Sequence, residues 1–508
     1  MQLRELLRDV PGARLTGDAE TSIRGLTYDS RTVEPGFLFA ALRGARHDGG
    51  AFIEQARERG ATAVLSSRPP DGARGGVAWV QADDERLALA LMARNYYARP
   101  DERMTMIGVT GTNGKTTVCY LTEGILAEAG LRPCLFGTVV YRYGRDEVKA
   151  DRTTPESLDL YRHLDRFATA GAKSCVMEVS SHALAQSRTA GITFKAGVFT
   201  NLTQDHLDFH GSMERYRESK ALLFRGLKPD AVAVLNADDP ATPTLAATTA
   251  ARVVTFGRTA GADVRIAAAH VMPTGTEITL QIAQDPGEPL ELRTPLLGAP
   301  NAQNVAAATA TALALGLPRA AVVRAVAAAR GVPGRFERVD DGGPFMVMVD
   351  FAHTDDALTN LLATVRALRP RRVITVFGCG GDRDRAKRPK MGFAAASGSD
   401  VVVVTSDNPR SEDPMAIIEE ILPGVRRALT GDAAGSVTEE RCVVAPDRRV
   451  AIRRALEMAA EGDCVVIAGK GHETYQTLAD RTVPFDDRQV ARDLLAALHR
   501  GRHGQAAG

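Results

Sequence analysis

The sequence predicts an α/β protein of three domains: a central domain on a mostly parallel sheet, an N-terminal α/β domain and a C-terminal Rossmann-like α/β domain. With 508 residues the chain is too long for one hydrophobic core, and about three domains is the natural expectation. Short apolar runs alternate with helical segments after residue 102, which is typical of parallel sheets covered by helices on both faces. Proline-containing stretches at 98–101 and 331–337 divide the chain into residues 1–98, 99–331 and 332–508.

Composition excludes several classes of protein. The 63 Lys and Arg residues balance the 62 Asp and Glu residues, so no overall field attracts nucleic acid or an anionic membrane. The six cysteines are scattered without a C-x-x-C pair, which indicates reduced thiols rather than disulfides or a zinc site. No run approaches the ~20 apolar residues of a membrane span. We therefore expect a cytoplasmic protein with no membrane span and no nucleic-acid partner.

The first domain carries no nucleotide motif. Residues 35–42 and 63–66 read as strands and residues 51–60 as a helix. Polar clusters at 28–31 and 46–49 lie in the loops between them, and such clusters are more often ordinary turns than ligand contacts.

A phosphate-binding loop opens the central domain. Residues 104–109 predict a buried strand, and residues 118–129 predict an amphipathic helix that stops at Gly130. The loop between them turns its N–H groups inward at a helix N-terminus, as a phosphate chain requires. Lys115 would reach the terminal phosphates and Thr116 would hold Mg2+. The sequence therefore predicts a P-loop-type ATP site, although Val109 stands where the standard G-x-x-x-x-G-K spacing has glycine.

Other polar residues follow the next predicted strands. Glu178 ends one apolar run, and an acidic residue at a strand end beside the phosphate loop is a suitable second Mg2+ anchor. His206 follows the next strand, and Ser212 caps a helix that carries Lys220. By itself the helical lysine reads as a solvated residue.

The C-terminal domain repeats the pattern of a strand followed by a polar loop. Its four apolar runs end at Asp350, Gly378, Asp407 and Gly469, and in a parallel sheet these loops share one rim. That rim combines cations at 383 and 410 with acids at 407 and 473. Arginine binds carboxylates and acids receive an ammonium group, so the rim predicts an amino-acid ligand.

Together these motifs resemble the Mur ligase family, the ATP-dependent ligases that add amino acids to the peptidoglycan precursor. The resemblance covers nearly the whole chain in motif order, and it includes the departure at Val109. It rests on Thr110-Gly-Thr-Asn-Gly-Lys-Thr-Thr117, Glu178-Val-Ser-Ser-His182, the Asn201 to Asp208 segment, Asp350-Phe-Ala-His353, Asp407-Asn-Pro-Arg410 and Gly469-Lys-Gly-His-Glu473. The Asp-Asn-Pro-Arg loop narrows the match to members that add diaminopimelate.

The resemblance implies a role for each matching residue. ATP is implied to bind at Gly111, Thr112, Asn113, Gly114, Lys115, Thr116, Thr117, Asn301, Arg335, Asp350 and His353. The UDP-MurNAc-peptide is implied to bind at Ser30, Arg46, His47, Thr153, Thr154, Ser180, Gln186 and Arg188. Diaminopimelate is implied to bind at Arg383, Asp407, Asn408, Pro409, Arg410, Gly469 and Glu473.

The same resemblance implies the catalytic set and the metal. Lys115, Glu178, His206 and Lys220 are implied to be catalytic. Two Mg2+ ions would be held by Thr116, Glu178, His206 and Lys220, the last as N6-carboxylysine. The substrates are then UDP-MurNAc-L-Ala-D-Glu, meso-diaminopimelate and ATP, and we expect a monomer.

Three alternatives remain open at this point. A lysine-adding ligase of the same family would differ only in the amino acid, and a folylpolyglutamate synthase-like ligase would need a pterin site. A P-loop nucleotide-binding switch would leave the C-terminal rim without a function. Two departures from the common family pattern, Arg152 and Asp355, have no assigned role.

Overall fold

The computed structural model of the chain describes residues 1–44, 48–68, 76–272, 274–340, 343–430, 438 and 440–505. Its strands form three α/β sheets and one small two-stranded ribbon, which confirms the predicted fold class. The strands of the three sheets span residues 14–81, 105–294 and 337–468, while the domain boundaries themselves stay predictions. Within the described residues, none of the helices combines the length and apolar character needed to cross a bilayer.

The N-terminal sheet has five strands in the order β1-β5-β4-β3-β2, of which only β1 is antiparallel to its neighbour. Its elements are α1 (Leu3–Leu6), β1 (Arg14–Thr16), β2 (Gly25–Thr27), β3 (Phe37–Ala40), α2 (Ile53–Glu58), β4 (Ala63–Ser66), β5 (Ala78–Gln81) and α3 (Glu85–Tyr96). Strands β3 and β4 and helix α2 lie where the sequence predicted them. Asp84 caps α3 by accepting from two backbone N–H groups, so the helix begins at Glu85.

The central sheet has eleven strands in the order β16-β15-β14-β13-β12-β11-β6-β10-β7-β8-β9. Its strands are β6 (Thr105–Thr110), β7 (Pro133–Phe136), β8 (Val140–Tyr143), β9 (Asp146–Lys149), β10 (Ser174–Glu178), β11 (Phe194–Phe199), β12 (Val232–Asn236), β13 (Arg252–Gly257), β14 (Val264–Met272), β15 (Gly275–Ile282) and β16 (Asp285–Thr294). Its helices are α4 (Lys115–Glu128), α5 (Ser157–Thr169), α6 (Ser181–Ala185), α7 (Leu207–His210), α8 (Met213–Arg225), α9 (Thr242–Ala247), α10 (Ala299–Ala314) and α11 (Arg319–Ala327).

The prediction of a mostly parallel sheet is confirmed, and the antiparallel pairings lie at the edges of this sheet. Strands β7, β10, β6, β11, β12, β13 and β14 are parallel, whereas the pairings β7–β8, β8–β9, β14–β15 and β15–β16 are antiparallel. The edge strands follow their neighbours after only a few residues, and such short connections can join antiparallel strands only. Helices cover both faces: Val118 of α4 packs in one buried cluster with Ile107, and Phe224 of α8 in another with Met106.

The C-terminal sheet has the order β17-β18-β22-β19-β20-β21, and all its pairings except β17 with β18 are parallel. Its strands are β17 (Glu337–Arg338), β18 (Met346–Asp350), β19 (Val373–Phe377), β20 (Val401–Val404), β21 (Cys442–Val444) and β22 (Cys464–Ala468), and the ribbon is β23 (Tyr475–Thr477) with β24 (Thr482–Pro484). The helices are α12 (Asp355–Ala367), α13 (Lys387–Gly398), α14 (Pro414–Thr430), α15 (Arg448–Met458) and α16 (Asp487–Gln505). The four predicted loops therefore leave the same edge of one parallel sheet.

Candidate active site

The phosphate loop has the predicted strand–loop–helix geometry. β6 ends at Thr110, and α4 begins at Lys115. Gly111 and Gly114 have φ angles of 148° and 84°, a region that glycine alone enters readily. A Cβ on Gly111 would lie 1.9 Å from the Thr200 Oγ1, so no larger residue fits this turn. Glycine is therefore required where the loop packs against Thr200.

Lys115 folds back over this loop. Its Nζ donates to the carbonyl oxygens of Gly111 at 3.0 Å and Thr112 at 2.8 Å. Burial lowers the pKa of its ammonium group, while the Glu178 carboxylate acts in the opposite direction. A phosphate oxygen is a stronger acceptor than these carbonyls, so the lysine can exchange them for a triphosphate.

Glu178 lies next to the phosphate loop because β10 pairs in parallel with β6, with Glu178 opposite Val109. The side chain is only 1 % exposed. Its Oε1 accepts from the Thr138 backbone N–H at 2.7 Å and from the Thr138 Oγ1 at 3.1 Å. A carboxylate oriented by two donors at this position is a suitable ligand for a hard cation.

Lys220 and His206 lie on the other side of the loop. Lys220 is 1 % exposed, donates to the Gly111 carbonyl oxygen at 2.8 Å and lies 4.3 Å from the Tyr216 ring centroid. The interpretation of Lys220 as a solvated residue is therefore wrong, because its side chain is buried. Burial, reinforced by Lys115, moves the pKa of Lys220 well below its ordinary value. Burial also lowers the pKa of His206 to about 4, which leaves its imidazole neutral and able to bind metal.

The oxygen and nitrogen donors beside the phosphate loop fit a magnesium site in which the substrate supplies the remaining ligands. The described residues contain no group of three or more His, Cys, Asp or Glu side chains arranged to hold a metal. Mg2+ usually takes one or two carboxylates and completes its shell with water and phosphate oxygens. Glu178, the Thr116 hydroxyl and a neutral His206 are such a partial set beside the phosphate loop.

A first cavity of about 560 Å³ opens beside the phosphate loop, between the central and C-terminal domains. Phe256, Leu296 and Phe336 supply apolar walls. Its predicted polar lining comprises Asn113, Gly114, Thr117, Asn301, Arg335, Asp350 and His353. A cavity that combines apolar walls with many polar groups next to a phosphate loop suits a nucleotide base and sugar.

Arg335 and Asp350 are held in place at the rim of this first cavity. Asp350 accepts from the backbone N–H groups of Phe336 at 2.6 Å and Ala352 at 2.8 Å, and burial raises its pKa. The Arg335 guanidinium lies 4.5 Å from the Phe351 ring centroid, and burial lowers its pKa. Its buried Nε has no hydrogen-bond partner among the residues that the structure describes, so a donor remains for a ligand.

A second cavity of about 440 Å³ adjoins the first, and both are lined by Phe351 and His353. The central domain contributes His182, Asp205, His206 and Asp208. The C-terminal domain contributes Asp355, Arg383, Asp384, Lys387, Asp407, Asn408, Arg410, Gly469 and Glu473. Pro409 belongs to the same loop but is absent from this lining. The central domain and the charged rim of the C-terminal domain therefore face each other across the second cavity.

Two arginines line the second cavity without an acidic partner. Arg410 donates to the Gly381 carbonyl oxygen at 2.6 Å and Arg383 to the Asp382 carbonyl oxygen at 3.2 Å. Neither forms an ion pair within 4.0 Å with any residue in the described parts of the chain. Burial, and then the neighbouring Arg383, lowers the pKa of Arg410. Two such cations favour a ligand with carboxylate groups.

Comparison with known proteins identifies the family. Three family models match in chain order: "Mur ligase family, catalytic domain" at residues 22–97, "Mur ligase middle domain" at 109–312, and "Mur ligase, glutamate ligase domain" at 334–471. A protein of Solibacter usitatus named UDP-N-acetylmuramoyl-L-alanyl-D-glutamate–2,6-diaminopimelate ligase is 49 % identical over 97 % of this chain and 98 % of its own. The chain belongs to the Mur ligase family.

Further Mur ligases are similar to this chain in sequence or in structure. A Geobacter metallireducens protein with the same name is 44 % identical over 96 % of this chain and 97 % of its own. The solved structure of a ligase with that name has a TM-score of 0.69 at 33 % identity and covers 98 % of this chain and 99 % of its own. The MurF ligase of Thermotoga maritima, solved in complex with ADP, is 20 % identical with a TM-score of 0.62, covers 95 % of this chain and 98 % of its own, and shows the shared fold.

Among the described residues, those predicted for the UDP-MurNAc-peptide form one cluster in this Mur ligase, with Ser30 as the exception. Thr154 donates to the Glu178 carbonyl oxygen at 2.8 Å and accepts from the Ser180 N–H at 3.1 Å. Arg188 donates to the Thr154 carbonyl oxygen at 3.0 Å and to the Gln186 Oε1 at 2.6 Å. Thr153 accepts from the Thr138 Oγ1 at 3.2 Å. Because Thr138 also hydrogen-bonds Glu178, Thr153 lies close to that carboxylate.

The exception is Ser30, which is buried in the N-terminal domain and donates to the Gln55 Oε1 at 2.7 Å. The predicted residues Arg46 and His47 lie outside the described residues.

Sequence reasoning missed several polar residues that this Mur ligase places at the site. Lys470 donates to the Glu473 Oε2 at 2.9 Å and to the Asn408 Oδ1 at 3.1 Å, and Asn408 in turn donates to Glu473 at 2.8 Å. Lys470 stands inside a quoted motif, which was the available signal. Glu156 is the shared partner of Arg86, Arg152 and Arg188, each at 3.1 Å, so Arg152 has an ion-pairing role.

Proposed function

We propose that this Mur ligase joins meso-diaminopimelate to the γ-carboxylate of D-Glu in UDP-MurNAc-L-Ala-D-Glu, with ATP as co-substrate, in the cytoplasmic stage of peptidoglycan synthesis. The relatives whose names specify the diaminopimelate ligase, at up to 49 % identity over nearly the full chain, support the activity. The observation that carries the amino acid is the pair of arginines, Arg383 and Arg410, without acidic partners in the second cavity.

Each predicted domain takes one substrate in this proposal. Residues 1–98 hold the UDP-sugar, with Ser30, Arg46 and His47 contributing, and the Thr154–Arg188 cluster receives the peptide end. Residues 99–331 bind ATP through the phosphate loop, and residues 332–508 bind diaminopimelate. The common wall of the two cavities at Phe351 and His353 supports this arrangement, because the acyl group must reach both ATP and the amine.

The first step forms an acyl phosphate. A γ-carboxylate oxygen attacks the γ-phosphorus of ATP, the bond between that phosphorus and the β,γ-bridging oxygen breaks, and ADP leaves. Carboxylate and triphosphate repel each other, so Lys115 has to place its positive charge against the transferring group. Its present partners, two loop carbonyl oxygens, hold the ammonium group in the same loop that receives the phosphates.

Magnesium belongs to the proposal as well. Thr116, Glu178, His206 and the carbamate of Lys220 would hold Mg2+, two ions in all, which neutralise triphosphate charge when bound. Removal of divalent cations with EDTA should stop ADP release, and added Mg2+ should restore it. ADP release that persists in EDTA would contradict the metal assignment.

The second step makes the amide. A neutral amine of diaminopimelate attacks the acyl carbon, the tetrahedral intermediate expels phosphate, and the amine nitrogen loses a proton. Glu473 and Asp407 on the second-cavity rim can receive the ammonium group at the other end of the same ligand, and Arg383 and Arg410 can receive its carboxylates. The protein therefore works mainly by positioning three substrates in line.

The decisive experiment is ADP release by the purified full chain with UDP-MurNAc-L-Ala-D-Glu and ATP. Diaminopimelate should stimulate ADP release strongly, lysine weakly, and the mixture without an amine hardly at all. Preference for lysine would indicate the lysine-adding alternative. ADP release independent of both peptide and amine would indicate the nucleotide switch, and dependence on a pterin substrate would indicate the folylpolyglutamate alternative.

We also propose that the enzyme acts as a monomer, because both cavities are lined by one chain. Sedimentation of the active enzyme at assay concentration should give the mass of a single chain, 54.2 kDa. A stable dimer under these conditions would contradict this part of the proposal.

A further inference from the structure

A buried ion pair lies beneath the second cavity. Arg448, the first residue of α15, is 1 % exposed, and Asp487, the first residue of α16, is 0 % exposed. The guanidinium binds the carboxylate through both of its oxygens, with Nε to Oδ1 at 2.8 Å and Nη2 to Oδ2 at 2.7 Å. Neither residue lines either cavity.

The remaining N–H groups of Arg448 donate to two loops of the charged rim of the C-terminal domain. Nη1 donates to the Ser406 carbonyl oxygen at 3.3 Å, and Nη2 donates to the Ala468 carbonyl oxygen at 3.0 Å. Ser406 immediately precedes Asp407, and Ala468 immediately precedes Gly469. One side chain therefore joins the starts of the two loops that carry Asp407, Arg410 and Glu473.

Gln476 makes a second connection between the same loops. Its Nε2 donates to the Ser406 Oγ at 3.0 Å and to the Asp407 carbonyl oxygen at 2.6 Å. Gln476 lies on β23, three residues beyond Glu473, and is 8 % exposed. The Arg448–Gln476–Asp487 network thus ties the Asp407 loop to the Glu473 loop from below.

The sheet itself does not make this connection. β19 lies between β20 and β22, so no backbone ladder joins the strands that deliver the two loops. A buried ion pair is weak evidence for stability, because desolvation offsets most of the attraction between its charges. Arg448 binds four oxygen atoms, and these bonds fix the geometry between the loops that follow β20 and β22. That fixed geometry is a better reason for burying the guanidinium.

We propose that Arg448, Gln476 and Asp487 are positioning residues that hold the Asp407–Arg410 loop and the Gly469–Glu473 loop at the separation that diaminopimelate requires. The inference rests on the proposed function, because it takes this rim as the diaminopimelate pocket. It adds that the fit for the amino acid depends on residues that do not touch it.

The test compares steady-state kinetics of full-length variants with the same three-substrate ADP assay. Arg448→Lys keeps a positive charge, but its single ammonium group cannot span Asp487 and both carbonyl oxygens. We expect KM for diaminopimelate to rise at least about tenfold while KM for ATP changes less than about twofold, since misplacing a pocket by a fraction of an ångström has effects of this size. The preference for diaminopimelate over lysine should fall in parallel.

A matched control exists at the other end of the same strands. Asp463, 0 % exposed on its side chain, pairs with Arg372 at 2.7 Å just before β22 and β19 begin. Arg372→Lys perturbs a partly exposed ion pair, with the Arg372 side chain 37 % exposed, at the amino ends of these strands and away from the pocket. Its thermal stability should fall while KM for diaminopimelate stays at the wild-type value.

The neutral variant Gln476→Met decides the question if Arg448→Lys does not fold, because it removes two hydrogen bonds to the Asp407 loop without unpairing a buried charge. Unchanged KM for diaminopimelate in a folded Arg448→Lys or Gln476→Met enzyme would overturn the positioning role. Equal increases in KM for ATP and diaminopimelate would also overturn it, since that result indicates general loosening. Failure of the wild-type enzyme to respond to diaminopimelate would instead refute the proposed function.

Discussion

Lys115 and Lys220 donate to the same backbone oxygen, the carbonyl of Gly111, from Nζ distances of 3.0 and 2.8 Å. The two amines come from different helices, α4 and α8, and meet beneath the phosphate loop. Two ammonium groups on one acceptor repel each other, and burial penalises both charges. Lys220, almost fully buried and with the strongly lowered pKa, is therefore the amine that gives up its proton.

This relationship predicts that Lys220 captures CO2 as a carbamate. A neutral amine attacks CO2, the nitrogen releases a proton to solvent, and the resulting carbamate anion turns repulsion from Lys115 into attraction. Labelled bicarbonate should give a carbamate signal in the NMR spectrum of the wild-type enzyme, and the signal should be lost as pH falls, because protonation removes the neutral amine.

Lys220→Arg should lack the signal and lose at least about a hundredfold in kcat. Lys228→Arg, an exposed control nearby, should behave as wild type; the signal in the Lys220 variant would disprove the assignment.

Lys115→Ala should abolish ADP formation, with a loss in kcat of at least about a hundredfold, because it removes the cation held within the phosphate loop. The measurement is single-turnover ADP production with saturating substrates. Lys195→Ala is a suitable control, because Lys195 pairs with Asp230 at the surface of the same domain. Wild-type turnover in the Lys115 variant would argue strongly against the phosphate-loop mechanism.

Arg410→Ala should weaken diaminopimelate selectively. Lysine lacks the distal carboxylate, so an unpaired guanidinium in the second cavity costs the lysine complex more than the diaminopimelate complex. We expect kcat/KM for diaminopimelate to fall by about 10- to 200-fold and the value for lysine to change little. Arg385→Ala provides the control, since Arg385 pairs with Glu420 and is absent from the cavity lining. An unchanged ratio of the two amino acids would refute the assignment of Arg410.

Stability should fall as the pH drops from about 6.5 to about 4. Burial lowers the pKa of His210 from 6.5 to about 4, and His182 is lowered to about 4 as well. The unfolded chain therefore takes up protons first as pH decreases, and the free energy of unfolding declines across this window. Urea denaturation at a series of pH values measures the slope. His210→Gln can still hydrogen-bond Ser181 and should show a shallower slope; a slope equal to that of wild type would contradict the role of His210.

Local sequence determined much of the fold and of the phosphate site. The strand, the glycine turn and the helix around Lys115 follow from contiguous residues, and the structure reproduces them as β6, the Gly111–Gly114 turn and α4. The ends of β10, β18, β19 and β22 also follow from short apolar runs, because a buried parallel strand is apolar throughout. Motif order was enough to identify the family.

Tertiary structure alone decided which residues share an environment. Lys220 read as a solvated residue, yet packing of α8 against the sheet buries it on Gly111, more than a hundred positions away in sequence. Arg448 and Asp487 carried no local signal, because they pair with each other across 39 positions and Arg448 also donates to the distant carbonyl oxygens of Ser406 and Ala468. Burial and long-range hydrogen bonds arise only when distant segments pack, whereas helix, turn and strand preferences act between near neighbours in the chain. The sequence by itself therefore determined the elements and the chemistry of the phosphate loop, and packing decided which charges meet and which of them remain unpaired.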